Sequence, residues 1–111
     1  MSNKIKSEVD KIKKYIIATR RDFHKHPELA FDELRSAKII SKELNSLGFK
    51  VIEGIGKTGV MGELSGDIAG RTIALRADMD ALPIQETTDI PYKSINEGVM
   101  HACGHDGHMA M

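Results

Sequence analysis

The chain has 111 residues, the size of one small domain and too short for two well-packed ones. Its 16 Lys+Arg balance 16 Asp+Glu, and a zero net charge excludes the basic footprint of nucleic-acid binding. With 41% apolar and 29% charged residues the composition is globular, and no run nears the ~20 apolar residues of a membrane helix.

The opening Met1-Ser2-Asn3-Lys4-Ile5-Lys6-Ser7-Glu8 has no apolar stretch behind its charges, so no secretory signal and a cytoplasmic location are expected. From Asn3 to about His24, Ile5, Val9, Ile12, Ile16, Thr19 and Phe23 recur at helical spacing, with Lys and Arg on the opposite face. Pro27 disfavours helical geometry in the residue ahead of it, leaving His24-Lys25-His26-Pro27-Glu28 as a helix exit and turn. A second helix is predicted to open at Asp32, whose carboxylate can cap free N–H groups, and to turn Leu34, Ala37, Ile40, Leu44 and Leu47 inward before closing at Gly48.

After Gly48 the period changes to that of strands, predicted over Phe49–Ile55, Gly59–Leu64 and Thr72–Ala77. The third is nearly all apolar and is expected to be buried on both faces. Two helices followed by such strands indicate an α/β or α+β layered domain. From Asp78 to Gly98 the pattern dissolves into a long polar loop of the kind kept for function, and no internal repeats appear.

The chemistry concentrates in His101-Ala102-Cys103-Gly104-His105-Asp106-Gly107-His108. In an extended segment residues two apart share a face, so His101, Cys103 and His105 are expected to converge on one point. Zn²⁺ accepts thiolate and imidazole together, and Ni²⁺, Co²⁺ and Mn²⁺ are alternatives. Two other readings stand beside this one: a polar loop with an incidental thiol, and a cysteine hydrolase in which Cys103 is the nucleophile and a His its base. The single cysteine excludes an internal disulfide.

Arg76-Ala77-Asp78-Met79-Asp80-Ala81-Leu82-Pro83 lies at the carboxyl end of the third predicted strand, where α/β sheets gather ligands and catalytic groups. One of Asp78 and Asp80 can bind metal while the other holds a metal-ligating imidazole in its tautomer; an Asp-rich turn is the bland alternative. His24 and His26 read as surface residues that stabilise a helix C-terminus, with a ligand role as the less favoured reading.

Taken together, Arg21-Asp22-Phe23-His24-Lys25-His26-Pro27-Glu28-Leu29-Ala30-Phe31, Ala74-Leu75-Arg76-Ala77-Asp78-Met79-Asp80-Ala81-Leu82-Pro83-Ile84 and the 101–108 motif closely resemble the amidohydrolases of peptidase family M20. This group contains N-acyl-amino-acid amidohydrolases, hippurate hydrolases and indoleacetyl-amino-acid hydrolases. The resemblance implies the N-terminal part of a zinc-peptidase-like three-layer α/β catalytic domain: two helices, then strands of a mixed sheet. It also implies hydrolysis of the amide bond of N-acyl amino acids, two divalent metals (Zn, Mn, Co or Ni) in a complete site, and a homo-oligomeric full-length form. By the same resemblance Cys103 and His105 match metal ligands and Asp80 matches the acid that supports the site. Asp78, His101 and His108 are additional candidates, Asp78 standing where related peptidases carry a metal-binding His.

In full-length relatives the general-base Glu, further ligands and a smaller lid and dimerisation domain follow this motif, whereas this sequence stops three residues after His108. The expectation is therefore a truncated, inactive piece of such an enzyme, all 111 residues belonging to its catalytic domain. A non-catalytic metal-binding or interaction module of the same length is the alternative, and both agree with the absence of nucleic-acid and membrane signals.

Overall fold

A computed structural model describes residues 2–111. Helix α1 runs Ser2–Lys25, within a residue of the predicted span at either end. Its exit is chemically sealed. His26 Nδ1 lies 2.9 Å from the Asp22 carbonyl oxygen, satisfying one of the acceptors that a helix C-terminus leaves free. The apolar stripe is packed only near this end: Phe23 is buried, whereas Ile5, Val9 and Ile12 are exposed.

Helix α2 spans Leu34–Ser46, and here the expected start is corrected. Asp32 is exposed and its carboxylate caps nothing, and Glu33 at the N-cap position makes no side-chain cap bond. Glu28 does the capping from the Pro27 turn. Its Oε2 accepts from the Arg35 N–H at 2.8 Å, and its Oε1 accepts from the Ser36 N–H and hydroxyl, each at 2.7 Å. A carboxylate has enough lone pairs for all three donors. Glu33 is itself committed to the Thr58 hydroxyl at 2.7 Å. The inward stripe is also corrected at both ends, because Leu34 and Leu47 are exposed and the buried residues are Ser36 and Ser41. Gly48 does close the helix, at a φ of 86° that suits glycine.

Strands β1 (Lys50–Ile55) and β2 (Gly59–Glu63) form one antiparallel hairpin, paired from Lys50↔Glu63 with a bulge between Glu53 and Ile55. Helix α2 lies close upon it: a Cβ on Gly62 would stand 3.0 Å from Leu44 and from Phe49.

The third expected strand does not form. Residues 72–77 have no regular structure, and Ile73 and Leu75 are 85% and 96% exposed. A strand buried on both faces needs a ladder partner, and none of the described residues runs alongside this segment. The long loop is as expected, and α3 (His105–Ala110) follows it.

Two single bridges then gather the three motifs. Leu29 pairs in parallel with Ala81, and Leu82 pairs antiparallel with Met100. Segment 81–82 is thus held between the Pro27 turn and the residues that enter the 101–108 motif. The loop after Glu86 returns to the exit of α1, where Ile95 N–H donates to the Lys25 carbonyl at 3.0 Å and Asn96 Nδ2 to that of Pro27 at 2.8 Å. No helix among the described residues is long and apolar enough to cross a membrane.

Candidate metal centre

The bridge at Ala81 and Leu82 sets Asp80 against the first residue of α3. His105 Nδ1 lies 2.8 Å from the Asp80 carbonyl oxygen and 3.1 Å from its carboxylate Oδ1. A carbonyl can only accept, so Nδ1 carries a hydrogen, and in the neutral ring Nε2 keeps its lone pair. That is the tautomer of a metal-ligating histidine held by an outer carboxylate and carbonyl. On the far side of the ring, Asp78 Oδ2 stands 4.0 Å from Nε2, wider than the about 3.4 Å that two such ligands span on a tetrahedral zinc. Arg76 holds the other Asp78 oxygen at 2.6 Å.

The remaining candidates are dispersed, which corrects the expected convergence of His101, Cys103 and His105. The segment is not extended: a bend at Cys103–Gly104 leads into α3, so the two-residue repeat is broken between 103 and 105. His101 is 4% exposed, Cys103 is exposed, and His105 faces Asp80. His108 is exposed on the next turn, its ring 6.4 Å from that of His105. Burial holds the His101 imidazole below its ordinary pKa, with the charge of Asp106 opposing, and neither ring nitrogen has a hydrogen-bond partner. Thiol, imidazole and carboxylate are the donors zinc takes, so the residue types fit, although no three of them among the described residues stand close enough to enclose an ion.

Comparison with known proteins places this geometry. Residues 74–111, which carry every candidate ligand, match the model of peptidase family M20/M25/M40. A thermostable carboxypeptidase of Saccharolobus solfataricus is 50% identical over 97% of this chain and 28% of its own length. The chain is similar to M20 family proteins along almost its whole length. Its relatives also include the N-acyl-L-amino acid amidohydrolase of Geobacillus stearothermophilus, 51% identical over 96% of this chain and 29% of that protein. The hippurate hydrolase of Campylobacter jejuni is 57% identical over 80% of this chain and 23% of its own length. The YXEP protein of Bacillus subtilis, described as a dinuclear metal binding peptidase of this family, superposes with a TM-score of 0.84 at 45% identity, over 91% of this chain and 29% of that one. The two helices and hairpin therefore have the α/β fold of an M20 domain's N-terminal part, and the chain spans 23–29% of the length of these curated relatives.

One buried residue of the site region was misread from sequence. His24 is not a surface residue at a helix end: it is 3% exposed, with Nδ1 2.8 Å from Asp106 Oδ2 and Nε2 2.8 Å from Glu86 Oε1. Arg20 Nε also reaches Asp106 Oδ2, at 2.8 Å. Burial works against the Glu86 carboxylate, but the Ser94 N–H, the Thr88 hydroxyl and His24 outweigh it and lower its pKa to about 2. The only sequence signal was the spacing of Arg20 and His24, four apart on one face of α1. Their partners lie 62 and 82 residues from His24, beyond the reach of any local pattern.

Proposed function

We propose that this chain supplies the first ligands of a two-metal centre in an amidohydrolase acting on N-acylated amino acids. The observation that carries the reading is the His105 ring, its Nδ1 hydrogen committed to Asp80 and its Nε2 lone pair free toward Asp78. His105 and Cys103 are the assigned ligands, with Asp78 beside them, and Asp80 is the residue that orients His105. Further support comes from the relatives: one solved structure is described as dinuclear metal binding, and two relatives are named for hydrolysing hippurate and N-acyl-amino acids.

The metals assigned are two divalent ions, Zn, Mn, Co or Ni. A bound ion of this kind supplies Lewis acidity to a scissile carbonyl and, for zinc, lowers the pKa of its water from 15.7 toward about 7. The residues of this chain hold the donors ready. Asp80 keeps the proton on Nδ1, and the bend at Cys103–Gly104 leaves the thiol open to solvent and to an ion.

The same reading makes the 111 residues the first portion of a catalytic domain, inactive alone, because no three donors among the described residues stand close enough to enclose an ion. It includes a cytoplasmic, homo-oligomeric full-length enzyme. A thiol-hydrolase reading requires an imidazole on the Cys103 sulfur, and among the described residues no histidine nitrogen bonds that exposed thiol. The test is equilibrium dialysis with Zn²⁺ and an assay on N-acetyl and N-benzoyl amino acids. Zinc is expected to bind, to be lost in Cys103→Ser and His105→Gln, and to produce no turnover. Binding unchanged in both variants contradicts the ligand assignment, and chelator-sensitive turnover by the chain contradicts its inactivity alone.

A further inference from the structure

Helix α3 has six residues, too few to be a stable helix in isolation, and yet its first residue is His105. Something outside the helix must fix it. Asp106, the second residue of α3, is fully buried and takes Arg20 Nε and His24 Nδ1 on one oxygen, Oδ2. The other face of the His24 ring is held by Glu86. Glu86 in turn binds the Ser94 N–H and the Thr88 hydroxyl, so it belongs to the loop and not to either helix. Tyr92 of that loop closes the arrangement, its ring edge-on to His24 at 5.7 Å and beneath the Arg21 guanidinium at 4.7 Å.

We propose that His24 is a positioning residue for the metal centre: bridged between Asp106 and Glu86, it locks the first turn of α3 to α1 and so fixes His105 against Asp80. Two carboxylates on one ring require a hydrogen on each nitrogen, so His24 donates twice and neither bond can form without orienting the ring for the other. Because His105 and Asp106 are adjacent on a helix, any turn of α3 that released Asp106 would swing the His105 ring off the Asp80 carbonyl. No side chain of this network bonds to an assigned ligand's side chain, and the inference rests on the assignment of His105 as a ligand only for its functional consequence.

The test uses His24→Phe, which keeps the ring volume and removes both donors, and His24→Gln, which restores one. Amide hydrogen exchange is measured over the full chain, and Co²⁺ alone is titrated by its visible spectrum. His24→Phe is expected to speed exchange in His105–Ala110 at least tenfold while α2 and the hairpin stay as they were, and to weaken Co²⁺ binding about ten- to a hundredfold. His24→Gln is expected to recover part of both losses, which a merely space-filling His24 does not predict. If His24→Phe leaves α3 protected as before, the proposal is overturned. So it is if exchange rises equally across α2 and the hairpin, since the residue then serves global stability only; a Glu86→Gln chain, which keeps an acceptor in place, supplies the same readout should His24→Phe fail to fold. If the unsubstituted chain takes up no Co²⁺, the ligand assignment has failed, and the exchange pattern of α3 decides the positioning role by itself.

Discussion

Glu86 stays ionised in the interior because three donors converge on it, and that has a consequence in acid. Its carboxyl titrates near 4.5 when free and at about 2 in the folded chain. The folded state therefore binds its proton later than the unfolded state as pH falls. The stabilisation this gives is complete above about 4.5 and is lost as pH falls through about 2. Glu86→Gln should be less stable than the unsubstituted chain at pH 7 and should lose less stability between those two values; denaturant titrations at a series of pH values check it, and parallel curves refute it. Asp80→Asn is a separate test at this scale. It leaves the carbonyl on His105 Nδ1 but removes the charge beside it, so Zn²⁺ affinity should fall about tenfold or more, measured by competition with a chromophoric chelator. At residue level the sequence revealed the types at the site, because three His, one Cys and one Asp in eight positions stand out locally. It concealed the partners of His24, because ion pairs across a fold leave no periodic mark.

Among the elements, both helices and the hairpin were legible, since α1, α2, β1 and β2 each follow from apolar period, Pro27 and Gly48. The start of α2 was not, because a capping rule based on neighbours looks to Asp32, whereas the acceptor is Glu28, seven residues ahead of Arg35. Glu28→Ala should therefore cost about 0.5–2 kcal/mol in urea unfolding, the range for losing a helix cap, while Asp32→Ala should change stability by less than about 0.5 kcal/mol. A reversed order of the two effects contradicts the capping assignment. The same turn carries the Leu29↔Ala81 bridge, so Glu28→Ala should also loosen the placement of Asp80 and His105.

For the whole molecule, the buried apolar core is small, with Phe23, Ala81 and Ala110 its most enclosed members. The radius of gyration is 15.6 Å, against about 13 Å for a compact chain of this length. Ile68, Ile73 and Leu75 lie open to solvent. The apolar run at 72–77 was read as a buried strand and is neither buried nor a strand, because strand formation depends on pairing, and pairing is a property of the fold and not of the segment. Ile73→Lys with Leu75→Lys should accordingly leave the unfolding midpoint within about 0.5 kcal/mol and raise solubility. A large loss of stability would mean that the segment is packed in solution. Phe23→Ala, by contrast, should cost about 3–5 kcal/mol and unfold the chain or nearly so.

Zinc X-ray absorption on the metal-loaded chain tests most directly the claim that this arrangement of residues is a metal centre. A sulfur scatterer at about 2.3 Å beside nitrogen or oxygen at about 2.0–2.1 Å, with the sulfur lost in Cys103→Ser, is the predicted result. A spectrum with light scatterers only, unchanged by that substitution, would contradict it.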